Sequence, residues 1–143
     1  MADKVTVDWK GNMLFESDNP REGNHTVLMD AGKASGGNDE GLGPKAMMLS
    51  SLAGCSGLDV VSVLKKMKAS PEDFKMEVFG ELTDEHPKYY HKVDVKYHFY
   101  GSDLDASKIN KAVDLSIEKY CGVMEMFRRF AEVTTGVHLH NNE

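Results

Sequence analysis

The sequence predicts one domain that combines helices with antiparallel strands. A chain of 143 residues, of which 41% are hydrophobic, is long enough for a single globular core, and no internal repeat or linker divides residues 1–143. Apolar residues recur at helical spacing after Pro44, and they alternate with polar residues from Lys92 to Phe99. The two periodicities indicate that both kinds of element share the core.

The first part of the chain predicts a small β-structure followed by a loop. Val7 and Trp9 alternate with polar residues, a Lys-Gly-Asn turn follows, and residues 13–17 resume an extended pattern, which predicts a hairpin. Residues 25–30 predict a third strand. Residues 31–43 contain five glycines without apolar periodicity, so we expect a flexible loop there.

A long central helix is predicted from Pro44 to about Ala69. Proline suits the first helical position, and the next helix-breaking pair is Ser70-Pro71. At about 100° per residue, Cys55 falls on a mixed polar row, and we expect its thiol to point away from the main core. The apolar side is predicted to comprise Ala46, Leu49, Leu52, Ala53, Val60, Val63, Leu64 and Met67. The row of Cys55 comprises Met48, Ser51, Asp59, Ser62 and Lys66.

Strands and helices alternate again after the central helix. Residues 74–83 and 89–101 predict two antiparallel strands with one solvated face, and residues 134–140 predict a closing strand.

A second helix lies between these strands. Asp103 or Asp105 can cap its N-terminus, and Ile109, Ala112 and Val113 recur along it at helical spacing. Gly122 directly follows Cys121, and we expect it to break this helix before a short amphipathic segment.

The charge of the chain argues against several partners. The 23 acidic and 17 basic residues give a net charge of −6, so the long-range field repels a phosphate backbone and we expect no nucleic-acid partner. The first eleven residues lack the apolar core of a signal peptide, and no stretch approaches about 18 uninterrupted apolar residues. We therefore expect a cytoplasmic protein without a membrane partner.

The two cysteines are the residues with the most chemical potential. Cys55 and Cys121 lie 66 positions apart, which matches neither a small disulfide framework nor the paired spacings of a zinc site. A free cysteine is most often an inert small hydrophobe. Gly54 and Gly57 beside Cys55 weaken the helix by about 1 kcal/mol each, which is tolerated where another element approaches closely. A cation would lower the pKa of the Cys55 thiol, and the candidates are Arg21, Lys45, Arg128 and Arg129.

Two other patterns do not make a ligand site. Residues 41–46 superficially match a dinucleotide glycine fingerprint, but they follow a polar loop and contain a proline in the turn. His138 and His140 could share one strand face as metal ligands, but the sequence offers no third ligand near them. We therefore expect no cofactor and no bound metal.

Residues 43–66 and 115–126 resemble the two cysteine motifs of the OsmC/Ohr family of bacterial proteins. The first has a proline-started helix with an apolar run before Cys55, and the second has Val123 soon after Cys121. The resemblance implies an α+β fold of OsmC type, with antiparallel strands wrapped around long central helices in an intertwined homodimer. It places the chain in a divergent branch rather than in the organic hydroperoxide resistance branch.

The resemblance also implies a chemistry. The family's best-known activity is the reduction of organic hydroperoxides and hydrogen peroxide by a cysteine pair, which a dithiol reductant resets. By resemblance Cys55 is the peroxidatic thiolate, Cys121 condenses with its sulfenic acid, and Arg21 is the counterpart of the arginine that lies against the reactive cysteine.

One departure from the family pattern favours a second interpretation. In the well-characterised peroxidases a glutamate that orients this arginine directly follows the proline, whereas here that position is Lys45. Glu40 and Glu125 are the candidate replacements. The alternative is therefore a non-catalytic dimer of the same fold that binds a small apolar ligand or senses redox state.

Overall fold

The computed structural model describes residues 2–19 and 25–141, and it contains two compact units, Met1–Met48 and Leu49–Glu143. The first unit contains an antiparallel sheet of three short strands: β1 (Val7–Trp9), β2 (Phe15–Asp18) and β3 (Thr26–Met29). The register pairs Trp9 with Phe15 and Phe15 with Met29. The predicted hairpin and third strand are confirmed.

The glycine-rich loop after β3 is hydrogen-bonded rather than free. The carboxylate of Asp30 accepts from the backbone N–H groups of Ala31, Asn38 and Glu40 at 2.7, 3.1 and 3.0 Å. A 3₁₀ turn forms at Lys33–Ser35. Our expectation of a flexible loop is wrong because one buried carboxylate ties both ends of the loop together, which composition alone does not reveal.

The central helix, α1, spans Pro44–Lys66, as predicted at its start and three residues short of the predicted end. Leu52, Ser56, Val60 and Leu64 are its buried residues. By length and composition α1 is the one helix of the described residues that could cross a membrane. Its buried residues recur at intervals of four, which is the spacing by which a helix packs one stripe against a core.

The second sheet has the order β4 (Asp73–Leu82), β5 (Tyr90–Gly101) and β6 (Glu132–Asn141). Strands β4 and β5 pair antiparallel as predicted, but β5 and β6 pair parallel, with His98 opposite His138. The helices between β5 and β6 form the long crossover that a parallel pair needs, because a tight turn cannot join parallel strands.

The core of the second unit lies between this sheet and the helices. Alternate residues of β5 are buried, and they include the predicted inward face of Val93, Val95, Tyr97 and Phe99. The same cluster contains Leu52, Val60 and Leu64 of α1 and, from the later helices, Ile109, Ala112, Val113, Met124 and Phe127.

Two further helices precede β6. Helix α2 (Ala106–Leu115) is capped by Asp105, whose carboxylate accepts from the Lys108 N–H at 3.1 Å. A π-helical turn follows at Ser116–Tyr120, and α3 spans Gly122–Arg128. The break falls at Cys121, which is extended (φ −78°, ψ 102°), whereas Gly122, the residue predicted to cause it, is the first residue of α3.

Candidate active site

Cys55 lies at the edge of the core of the second unit. It is half-buried and packs against the core cluster, so our expectation that its thiol points away from the core is wrong. The helical projection could not show that the segment around Cys121 covers this side of α1. The two glycines differ: a Cβ at Gly57 would lie 3.2 Å from Met76 Sδ, whereas a Cβ at Gly54 would meet nothing within 4 Å. Gly57 therefore allows β4 to approach closely.

Cys121 caps the N-terminus of α3. Its Sγ accepts a hydrogen bond from the Met124 N–H at 3.3 Å, and its own N–H donates to the Ser116 carbonyl at 2.8 Å. The residue is buried. The π-helical turn and the extended backbone at Cys121 together fix the direction of this thiol.

The fold brings the two thiols together with a carboxylate. One Sγ each from Cys55 and Cys121 and one carboxylate oxygen of Asp59 all lie within 4.8 Å of one another. Both cysteines are free. Asp59 follows Cys55 by one helical turn on α1, so the two side chains share a face of the helix. Sequence reasoning placed Asp59 in the row of Cys55 but gave it no role.

Burial raises the pKa of the Cys121 thiol to about 11, and a hydrogen bond with Cys55 and the negative charge of Asp59 act in the same direction. The Met124 N–H acts against them by stabilising the thiolate. Cys121 is therefore a protonated thiol at neutral pH.

A chain of buried hydroxyls supports Asp59. Ser116 Oγ donates to Asp59 Oδ2 at 3.1 Å. Ser116 Oγ also lies 2.8 Å from Ser56 Oγ, which lies 2.6 Å from the Tyr97 hydroxyl. Ser116 Oγ has one proton, which it can donate to Asp59 Oδ2 or, at 3.3 Å, to the Ser56 carbonyl. The four residues join α1, β5 and the π-helical turn at the site.

An open groove of about 380 Å³ runs beside the site. Its lining includes Asp59 and Lys66. The other lining residues are Ser62, Val63, Met67, Leu115 and Tyr120. A larger groove of about 450 Å³ is lined by residues of the sheet and contains neither cysteine. Neither cysteine lines the smaller groove either, but its lining includes Asp59, which lies within 4.8 Å of both thiols.

The structure describes three of the four candidate cations. Arg21 falls in the segment that the structure does not describe. Arg128 donates to the Ile117 carbonyl at 2.7 Å and forms an ion pair with Glu125 at 3.6 Å. Glu125, a candidate replacement for the family's glutamate, therefore has Arg128 as its ion-pair partner. Lys45 and Arg129 are exposed.

A histidine cluster lies on the outer face of the second sheet. His98 Nδ1 lies 3.0 Å from His140 Nε2, and His98 Nε2 lies 2.7 Å from Glu77 Oε1. The His138 ring stacks on that of His98 with centroids 4.9 Å apart. The sequence showed that His138 and His140 are near neighbours. Only the parallel pairing of β5 with β6 reveals that His98 contacts both of them.

Comparison with known proteins places the chain in a family. The family profile described as "OsmC-like protein" matches residues 36–136, which include both cysteines. This chain belongs to the OsmC-like family. A curated relative, Protein YhfA of Escherichia coli K12, is 30% identical over 131 residues, which are 92% of this chain and 93% of YhfA. The expected family and its divergent branch are confirmed.

Solved structures of OsmC-like proteins share the fold. A hypothetical protein from Aquifex aeolicus superposes with a TM-score of 0.85 at 26% identity, covering 100% of this chain and 99% of its own. An organic hydroperoxide resistance protein OsmC from Legionella pneumophila has a TM-score of 0.69 at 17% identity, covering 96% and 97%. The predicted α+β class of OsmC type is confirmed.

Proposed function

We propose that this OsmC-like protein is a thiol-dependent peroxidase that reduces organic hydroperoxides or hydrogen peroxide. The observation that carries the proposal is the approach of Cys55, Cys121 and Asp59 to within 4.8 Å across 66 sequence positions. Membership of a family that includes an organic hydroperoxide resistance protein of the same fold supports the proposal.

The different surroundings of the two thiols support different roles. Cys55 is half-buried, whereas Cys121 is buried with a raised pKa. Because the thiolate is the nucleophile and must meet the peroxide, Cys55 is the peroxidatic residue. Cys121 stays protonated at neutral pH and reacts only after Cys55 has been oxidised.

The reaction then has three steps. The Cys55 thiolate attacks one peroxide oxygen, the S–O bond forms as the O–O bond breaks, and an alcohol or water leaves after protonation. The Cys121 sulfur attacks the resulting sulfenic sulfur, so that the S–S bond forms, the S–O bond breaks and water leaves with the Cys121 proton. A dithiol reductant returns two electrons and restores both thiols.

Arg21 is the cation we propose for stabilising the Cys55 thiolate. A nearby positive charge favours the ionised form of a thiol. Replacing Arg21 with Gln is expected to slow peroxide reduction about ten- to a hundredfold, the loss of one charge-assisted interaction. Arg129→Gln removes the same charge from an exposed position and is the matched control; equal rates in the two variants would contradict the role of Arg21.

We further propose that a second copy of this chain covers the exposed face of α1. Leu58 and Val61 are apolar yet 75% and 52% exposed, and Gly54 on the same stripe leaves open space for a neighbour. Leu58→Glu is expected to convert the dimer to monomer in sedimentation experiments. Lys111→Glu, exposed on α2, is the control, and a monomeric wild type would contradict the proposal.

The remaining partners follow the charge of the chain. We propose a cytoplasmic protein whose partners are hydroperoxide and a dithiol reductant, without nucleic acid or membrane. The net charge of −6 supports the exclusion of nucleic acid, because it repels a phosphate backbone.

The activity is tested by mixing reduced protein with stoichiometric cumene hydroperoxide and following peroxide loss. We expect rapid consumption of one equivalent, which Cys55→Ser abolishes and Cys121→Ser does not. Slow loss that Cys55→Ser leaves unchanged would instead favour a non-catalytic dimer that binds a small apolar ligand or senses redox state.

A further inference from the structure

We propose that the reduced protein binds one thiophilic divalent cation of the zinc type between Cys55, Cys121 and Asp59. The observation is the mutual approach of two sulfur atoms and one carboxylate oxygen to within 4.8 Å. The proposal rests on this donor set alone and holds whether or not the thiols reduce peroxide.

The donor atoms are close to the spacing that a tetrahedral ion requires. With Zn–S bonds of about 2.3 Å and Zn–O bonds of about 2.0–2.2 Å, neighbouring donors in a tetrahedron lie about 3.5–3.8 Å apart. The observed separations of at most 4.8 Å exceed that spacing by no more than about 1.3 Å. Three protein ligands leave the fourth position for water.

The chemistry of the donors selects the ion. Two thiolates are soft ligands and favour zinc and its relatives over Mg²⁺ or Ca²⁺, which take oxygen ligands. Binding displaces the proton that Cys121 holds at neutral pH, and the metal-bound cluster of two thiolates and one carboxylate then carries three negative charges, of which the dication offsets two.

A hydrogen bond orients the Asp59 carboxylate, as is common for carboxylates that bind metals. Its Oδ2 accepts from Ser116 at 3.1 Å, and Ser116 is in turn positioned by Ser56 and Tyr97. Hydrogen bonds of this kind orient metal-binding side chains and are worth about 10- to 100-fold in metal affinity.

The same carboxylate forms no ion pair with the residues that the structure describes. A dication bound by Asp59 and the two sulfur atoms would offset its negative charge. The groove of about 380 Å³ that Asp59 lines gives a cation access.

The test titrates Co²⁺, a spectroscopic substitute for Zn²⁺, into reduced, metal-free protein under anaerobic conditions. We expect one equivalent to produce a thiolate-to-cobalt charge-transfer band and the intense visible bands of a tetrahedral site, both displaced by Zn²⁺. Cys55→Ser and Cys121→Ser should each weaken binding at least about 100-fold, and Asp59→Asn about 10- to 100-fold.

Two controls locate the site. Asp114→Asn removes one carboxylate from an exposed position of α2 and should leave the affinity unchanged. His140→Ala should also leave it unchanged, which separates this site from the histidine cluster on the sheet. Should Asp59→Asn fail to fold, protection of both wild-type thiols from alkylation by one equivalent of Zn²⁺ decides the same question.

Absence of the charge-transfer band, unchanged affinity in Cys55→Ser, or loss of binding only in His140→Ala would overturn the proposal. Peroxide consumption is measured separately on metal-free protein. Failure of the metal site therefore leaves the peroxidase proposal standing, and failure of peroxide reduction leaves the metal site standing.

Discussion

The hydroxyl of Ser56 lies 2.6 Å from the hydroxyl of Tyr97, and this buried contact joins the helix of Cys55 to the central strand of the second sheet. Burial raises the pKa of the Tyr97 phenol, so that it remains a neutral hydroxyl at neutral pH and shares a hydrogen bond with Ser56. This contact fixes the orientation of the helix relative to the sheet at Ser56, the residue that directly follows Cys55.

Tyr97→Phe tests this contact. Removal of the hydroxyl leaves Ser56 with one fewer buried partner, and we expect the free energy of unfolding to fall by about 1 kcal/mol. Urea unfolding measures it, with Tyr89→Phe, whose ring is 51% exposed, as the matched control. Equal losses in the two variants would show that the buried contact adds nothing.

The two glycines beside Cys55 are predicted to respond differently to alanine. Gly54→Ala should stabilise the chain by about 1 kcal/mol because the new methyl group meets nothing and helix propensity improves. Gly57→Ala should gain less or lose stability, since its Cβ would press on Met76 Sδ at 3.2 Å. Unfolding is measured in the Leu58→Glu background to remove association, and the reverse order would contradict the helix-sheet geometry.

The raised pKa of Cys121 predicts a particular dependence on pH. The native state favours the neutral thiol, so the resulting stability is fully present below about pH 9 and is lost as the pH rises towards about 11. In the unfolded chain, the rate of Cys121 alkylation should reach half its maximum at about pH 9. In the folded protein, the rate should still be rising with pH above that value. Asp59→Asn should shift the native profile to lower pH; a native profile identical to the unfolded one would contradict the burial of this thiol.

Periodicity predicted most of the elements, because each strand and helix presents its own apolar face. The long helix from Pro44, the alternation along β5 and the cap at Asp105 all follow from local pattern. The parallel pairing of β5 with β6 depends on a crossover between distant residues, and no local signal contains it. His98 was therefore missed as the partner of His140.

The site was predictable only in part for the same reason. The cysteines were evident from their residue type, and the family resemblance linked them, but helical arithmetic on α1 alone placed Cys55 away from the main core. The position of Cys121 depends on the π-helical turn. The same turn brings Ser116 beside Asp59, so the place of Asp59 in the site could not be predicted from α1 alone. Arg21 lies outside the described residues, and its role stays a prediction.

The most direct measurement of the central claim is mass-spectrometric mapping after one equivalent of cumene hydroperoxide has reacted with reduced protein. We predict a Cys55–Cys121 disulfide in the wild type and, in Cys121→Ser, a sulfenic acid at Cys55 that dimedone traps. Two free thiols after the peroxide has been added, or a dimedone adduct on Cys121 in place of Cys55, would contradict the assignment.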